Sequence, residues 1–202
     1  MEKHYLHIEK ENDAQLWKNL IKGDENSFSI LFKKHYKQLI IYGNSFIPFP
    51  EKVQDCIQDV FTDIWVYRHK LQNDVVVKAY LFACVRKRIT KLKARDRIFS
   101  FNSEIETIPF FYDFSIEHHL IADEITAHQV AQLNKLVNEL PSRQKEALYL
   151  RYNQGLSIEQ LANTLEINYQ SANNLLHRAL MCIRKEWRSN ILSALILLTF
   201  SI

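Results

Sequence analysis

The stretch that most constrains this 202-residue chain runs from residue 155 to 183. Ser157-Ile158-Glu159-Gln160 has the form of a capping box, in which the Ser157 hydroxyl can accept from an orphan amide and Gln160 can reach back. Gly155 suits the end of the helix before it. Ile158, Leu161, Ala162 and Leu165 then repeat at helical spacing, with a small residue at Ala162 where two helices must approach closely. A short break at Glu166-Ile167-Asn168 follows, with Ile167 as its apolar plug and Asn168 as the N-cap of the next helix. The expected buried face of that helix is Ala172, Leu175, Leu176, Ala179, Leu180 and Ile183. Two helices joined by so tight a turn make a helix-turn-helix.

The other face of the second helix carries Gln170, Ser171, Asn173, Asn174, His177 and Arg178. Amides and hydroxyls can both donate to and accept from base edges and phosphates. In a DNA-binding helix-turn-helix, the N-terminal part of the second helix enters the major groove. Arg184, Lys185 and Arg188 add positive charge further along, suited to phosphates. The competing reading is an ordinary solvated helix face, because helical hairpins are common and this tip is not strongly basic.

The rest of the chain also reads as helical. Only three glycines and four prolines occur while 47% of residues are apolar, which disfavours a turn-rich β architecture and predicts an all-α protein with a packed core. Leu16, Leu20 and Ile21 open a helical pattern that Gly23-Asp24 interrupts, and Phe28, Leu31, Phe32, Tyr36, Leu39 and Ile40 continue it. Ile47-Pro-Phe-Pro50 is a break, since the residue before each proline is pushed out of the helical region. A second helix is expected over residues 51–69, a loop over 71–77 and a third helix over 77–97. From 98 to 119 the pattern degrades into a linker. It holds Pro109 and the aromatics Phe110, Phe111, Tyr112 and Phe114, which argue against full disorder and could dock on a partner. Helices are expected again over 117–139, 142–153, 158–165 and 169–189. The expected organisation is two small helical domains, 14–97 and 120–190, joined by the linker 98–119 and followed by an apolar tail, 191–202.

Charge in the first domain is segregated. The helix after Pro50 has an apolar face of Ile57, Val60, Phe61, Ile64 and Trp65, and a polar face with Asp55, Asp59 and Asp63 four residues apart. The next helix carries seven basic residues and one acidic one between 86 and 97, namely Arg86, Lys87, Arg88, Lys91, Lys93, Arg95 and Arg97 against Asp96. Ile89 and Leu92 keep an apolar stripe on it, so one face packs and the rest is cationic, which attracts phosphates. A solvated charge run and a membrane-surface helix are the other readings. An acidic stripe beside a basic helix suits a bridge between nucleic acid and a basic protein surface. The bland reading of the three aspartates is that they solubilise an amphipathic helix.

Cys56, Cys84 and Cys182 are far apart, odd in number and without a CxxC, so neither a disulfide framework nor a zinc site is expected. Each lies in a helical apolar pattern and reads as a buried thiol in a reducing cytoplasm. Residues 1–13 lack the apolar core of a signal peptide. The 12 residues of the tail fall short of the roughly 20 that span a bilayer, so no membrane span is expected. The tail could cap the second domain or form an exposed contact patch.

The two blocks together resemble the extracytoplasmic-function sigma factors. Residues 27–97 are similar to region two of that family, with Asp55-Cys-Ile-Gln-Asp-Val-Phe-Thr-Asp-Ile-Trp65 resembling its core-binding helix. Residues 133–188 are similar to region four through Leu140-Pro-Ser-Arg-Gln144, Leu150-Arg-Tyr152, Leu156-Ser157, Leu161-Ala162 and Arg178-Ala179. The resemblance implies that Asp55, Gln58 and Asp59 meet the clamp helices of the polymerase β′ subunit. It implies that Arg86, Lys87, Arg88, Lys91, Lys93, Arg95 and Arg97 engage the minus-ten element, and that Gln170, Ser171, Asn173, Asn174, His177 and Arg178 hold the minus-thirty-five element. The loop 72–76 sits where the family captures a flipped base, a task suited to aromatic and basic residues such as the flanking Tyr67 and Tyr80. The implied partners are RNA polymerase core, through the β′ clamp helices and the β flap, promoter DNA and an anti-sigma factor; no cofactor or metal is implied. This chain departs from the family in having Glu166 where glycine is usual in the turn, and Asn173 and Leu175 where basic residues are frequent.

Two rivals stand beside this reading. A free-standing helix-turn-helix regulator would bind a palindromic operator as a dimer, but leaves the acidic helix without a task. An enzyme would have to use His118, His119, His128 and scattered carboxylates. Glu117-His118-His119 lacks metal-ligand spacing, and no phosphate-cradling glycine loop occurs.

Overall fold

The computed structural model describes residues 12–99, 109–112 and 124–199, and every regular element among them is helical. The chain divides into two compact units, one of residues 1–108 with Asn163–Glu166 and the other of residues 109–162 with 167–202.

The first unit contains α1 (Asp13–Ile21), α2 (Glu25–Asn44), α3 (Pro50–Val66) and α4 (Val77–Phe99), with a 3-10 turn at Arg68–Lys70. Local chemistry sets the boundaries. The Asn12 carboxamide accepts from the Ala14 amide at 3.0 Å, and the Asp24 carboxylate accepts from the Ser27 amide at 2.9 Å. Between these caps, Gly23 takes φ +95°, and the amides of Gly23 and Asp24 donate back to the carbonyls of Leu20 and Asn19. This paired closure of a helix end favours glycine at the left-handed position. Pro50 opens α3, where its missing N–H costs nothing.

The core forms where the apolar stripes meet. Leu39 and Tyr42 of α2, Val53, Ile57, Val60 and Phe61 of α3, and Leu81, Phe82, Val85 and Ile89 of α4 are buried. Gly43 lets these helices close up, because a Cβ there would lie 2.3 Å from Val53 Cγ1 and 3.4 Å from Ile89 Cδ1. Tyr42 and Phe82 meet at the centre at 4.8 Å, and half-buried rings extend the cluster outward, Phe32 on Phe61 at 4.9 Å and Phe28 on Trp65 at 5.1 Å. The Trp17 indole N–H donates to the Gln72 carbonyl at 2.9 Å and so pins the loop before α4.

Asp13 ties α1 to α2 through Lys34 at 2.8 Å and the buried His35 at 2.9 Å. Burial pushes its carboxyl upward, but the bonds from His35 and Lys34 outweigh that and hold it at about 2, below the usual 3.8. A depressed folded value means stability present above pH 4 and lost as pH falls towards 2. With the carboxyl still a quarter open to water, the contribution is about 1 kcal/mol rather than the full conversion. Asp13→Asn should therefore cost about 1 kcal/mol in denaturant melts at neutral pH. The cost should almost vanish at pH 2, and a deficit independent of pH would rule out this linkage.

The second unit contains α5 (Glu124–Glu139), α6 (Ser142–Leu148) with a π-helical turn at Tyr149–Asn153, the larger part of α7 (Ile158–Leu165) and α8 (Tyr169–Thr199). Several expectations change here. Phe110 is fully buried with its ring 5.7 Å from that of Tyr149, and the Tyr112 ring stands edge-on to Tyr149 at 4.5 Å. Phe110 thus belongs to the core of the second unit and Tyr112 packs against it, while 100–108 and 113–123 lie outside the described residues. Phe111 is exposed. Helix α4 runs on to Phe99, and α8 continues ten residues past Ser189 into the apolar tail, since no glycine or proline interrupts either stretch. The proposed cap or contact role of the tail falls on side chains outside the described ones.

The thiols also differ from expectation. Cys56 is buried, Cys84 is half-buried and Cys182 is exposed, because position 182 falls off the stripe formed by Ala172, Leu176 and Ala179. No group of side chains suited to a metal occurs among the described residues, and no helix among them is long and apolar enough to cross a membrane.

Candidate functional site

In the first unit, α3 and α4 lie side by side and antiparallel, as the lining of two grooves shows. Lys52, Asp55, Cys56 and Asp59 face Arg88, Lys91, Leu92 and Arg95 across one. Val60, Asp63, Ile64 and Tyr67 face Tyr80, Cys84, Lys87, Arg88 and Lys91 across the other. The acidic and basic rows, read from the sequence as separate faces, therefore meet along one seam.

Asp55, Gln58 and Asp59 are all exposed on α3. Asp55 has no ion-pair partner among the described residues. Asp59 does: the Arg88 guanidinium donates to it through Nη2 and reaches Asp63 through Nη1 at 3.4 Å. Nothing in the spacing of either helix signals this pairing, which depends on the antiparallel register. Of the other basic residues of α4, Lys87, Lys91 and Arg95 are exposed, and Arg86 and Lys93 are half-buried with interactions of their own. The Arg97 side chain lies outside the described ones.

Tyr67 and Tyr80 line the same groove but in different states. Tyr80 packs edge-on to buried Trp17 at 5.2 Å, and burial pushes its phenol up to about 12. Tyr67 is 51% exposed, with the Lys70 ammonium 5.6 Å from its ring centre. Of the two, only Tyr67 offers an open π-face beside cations. Burial likewise raises the Cys84 thiol next to Tyr80.

In the second unit the helix-turn-helix is built as its sequence predicts. The Ser157 amide donates to Gln160 Oε1 at 3.0 Å, the Gln160 amide donates to Ser157 Oγ at 3.2 Å, and Gly155 takes φ +71°. The Ser171 amide donates to Asn168 Oδ1 at 2.7 Å, which starts α8. Gln170, Asn173, Asn174, His177 and Arg178 are exposed and Ser171 half-exposed. Gln170 Nε2 donates to Asn174 Oδ1 at 3.3 Å, so two of these amides are held one turn apart. Ala172, Leu176 and Ala179 are buried, whereas Leu175, Leu180 and Ile183 are only half-buried.

The turn is closed by the pattern seen after α1, with the Glu166 amide on Asn163 O and the Ile167 amide on Ala162 O. Here a glutamate holds the left-handed position, at φ +54°. That conformation costs a side-chain-bearing residue about 1–2 kcal/mol, part of which glycine returns through its freer unfolded chain. Glu166→Gly should stabilise the helix-turn-helix by about 0.5–1 kcal/mol and raise the thermal midpoint by a few degrees. A lowered midpoint would mean the turn does not bear this strain.

Comparison with known proteins agrees with this geometry. Residues 131–183 match the family model described as Sigma-70, region 4. The RNA polymerase sigma-H factor of Pseudomonas aeruginosa is 25% identical over 190 residues, covering 88% of this chain and 95% of that protein. Among solved structures, CnrH in complex with the cytosolic domain of CnrY superposes with a TM-score of 0.58 at 18% identity, covering 88% of this chain and 97% of that one. The sigma factor RpoE of Bartonella quintana, in complex with the anti-sigma factor NepR, gives a TM-score of 0.52 at 19% identity over 78% of this chain and 94% of that one. The two structures share the fold; the family model and the full-length relative add the sequence. Residues 131–183 thus match sigma-70 region 4, and the chain is similar over most of its length to a sigma factor in sequence and to sigma-factor structures in fold.

Proposed function

We propose that this chain is a non-catalytic specificity subunit of RNA polymerase, acting in the cytoplasm, that docks through α3 and selects promoters through α4 and α8. The observation that carries the reading is the pairing of an exposed acidic row with a basic helix in one unit, beside a helix-turn-helix with an amide-rich exposed face in the other. Asp55, Gln58 and Asp59 contact the β′ clamp helices. The exposed Lys87, Lys91 and Arg95, with Arg86, Lys93 and Arg97 nearby in sequence, attract the minus-ten backbone. Tyr67 rather than Tyr80 supplies the stacking surface for an unstacked base beside the 72–76 loop. Gln170, Ser171, Asn173, Asn174, His177 and Arg178 hold the minus-thirty-five element, and the second unit also meets the β flap.

Neither unit has to bind tightly alone, since tethering raises the effective concentration of the second contact. An anti-sigma factor, as in the RpoE complex, is the expected regulator. Transcription in vitro with purified core polymerase and genomic promoter fragments tests the whole reading. Initiation that depends on the added chain is the expected result, and failure to bind core at all would sink it. Tight sequence-specific gel shifts by the chain alone would instead favour a free-standing regulator.

A further inference from the structure

One contact joins the two surfaces to which the proposed function gives different partners. Arg88 belongs to the basic helix, yet its guanidinium is spent on Asp59 and Asp63 of the acidic helix. While it stays there, the DNA-facing row lacks one cation and the polymerase-facing row has one carboxylate neutralised. The residues are 39%, 55% and 57% exposed, so the pairs are solvated and weak enough to be exchanged for other partners. Lys91 and Arg95 flank Arg88 along the same groove and surround any released guanidinium with like charge, which favours its moving to a phosphate.

We propose that Arg88 is a latch that couples the two binding events, a positioning residue held on Asp59 and Asp63 in the free protein and released to nucleic acid when a basic polymerase surface takes Asp59. This inference rests on the reading of α3 as the polymerase-binding helix. The coupling is reciprocal by thermodynamic necessity, so DNA that captures Arg88 also frees Asp59 for polymerase. Its size is set by exposed ion pairs and amounts to about three- to fivefold in affinity.

The test uses the full chain and a labelled DNA duplex of arbitrary sequence at low salt. Asp63→Asn loosens the latch without touching the residues proposed to bind polymerase. It should tighten DNA binding about threefold. Glu51→Gln removes the same charge from the same helix outside the latch, and should change binding by less than about twofold. The gain from Asp63→Asn should disappear when Arg88→Gln is also present, since a double-mutant cycle isolates the pair. An equal gain in the Arg88→Gln background, or from Glu51→Gln, would overturn the latch and leave only a general charge effect.

A second arm adds the isolated β′ clamp-helix segment. It should tighten DNA binding by the wild-type chain but not by Arg88→Gln, and equal tightening of both would overturn the coupling. Core capture is scored separately. If even the wild-type chain fails to capture core, the polymerase reading fails, while the DNA cycle still decides whether Arg88 is latched.

Discussion

Reversing Asp55 and Asp59 together to lysine is expected to lower affinity for core polymerase by at least about 100-fold while leaving the helical fold intact. Each carboxylate is exposed on α3, so the fold does not depend on either. Each reversal replaces an attraction to a basic surface by repulsion, at about 1.5 kcal/mol or more per site, and about 3 kcal/mol corresponds to two orders of magnitude. Asp59→Lys also places a second cation beside Arg88, but an exposed pair contributes less than about 1 kcal/mol to folding. Circular dichroism and thermal melting should therefore show a folded protein close to wild type. Quantitative binding to purified core, with the double variant beside wild type, decides the matter. Unchanged affinity in a folded variant would remove α3 as the docking surface.

The second large effect is structural. Tyr149→Ala should destabilise the second unit by about 3–5 kcal/mol, because it removes a fully buried ring that packs on both Phe110 and Tyr112. That is a large share of the roughly 5–15 kcal/mol that holds a domain together. Burial drives the Tyr149 phenol far above its ordinary range, and its oxygen accepts from Gln154 Nε2 at 2.9 Å. Tyr149→Phe keeps the ring and loses only this bond, and because Gln154 Nε2 also reaches Asn153 Oδ1, the cost should be about 1 kcal/mol. Phe110→Ala should match the alanine variant of Tyr149 in denaturant melts of the second unit. A wild-type midpoint for Phe110→Ala would show that Phe110 is not part of that core.

The helix-turn-helix was legible before any coordinates because every device in it is local. The capping box at Ser157, the N-cap at Asn168 and the glycine at 155 each act over three or four residues. The acidic and basic rows were legible for the same reason, since the helical repeat alone places residues four apart on one face. The state of each thiol was less legible, because membership in an apolar stretch does not say which flank of the stripe a residue takes. Cys182 shows the gap, standing exposed beside exposed Met181 and half-buried Ile183.

What the sequence by itself determined is thus the helical class, the two blocks, the local caps and the chemical character of each face. Only the tertiary structure decided which faces meet. The antiparallel register of α3 and α4, with Gly43 allowing Val53 and Ile89 to close in, sets Arg88 on Asp59 and Asp63 some 25 to 29 positions away. The docking of Phe110 on Tyr149 is of the same kind, joining side chains from separate segments. Such pairings depend on how stripes pack against one another across long separations, and periodicity along one helix carries no record of the partner that its face will find.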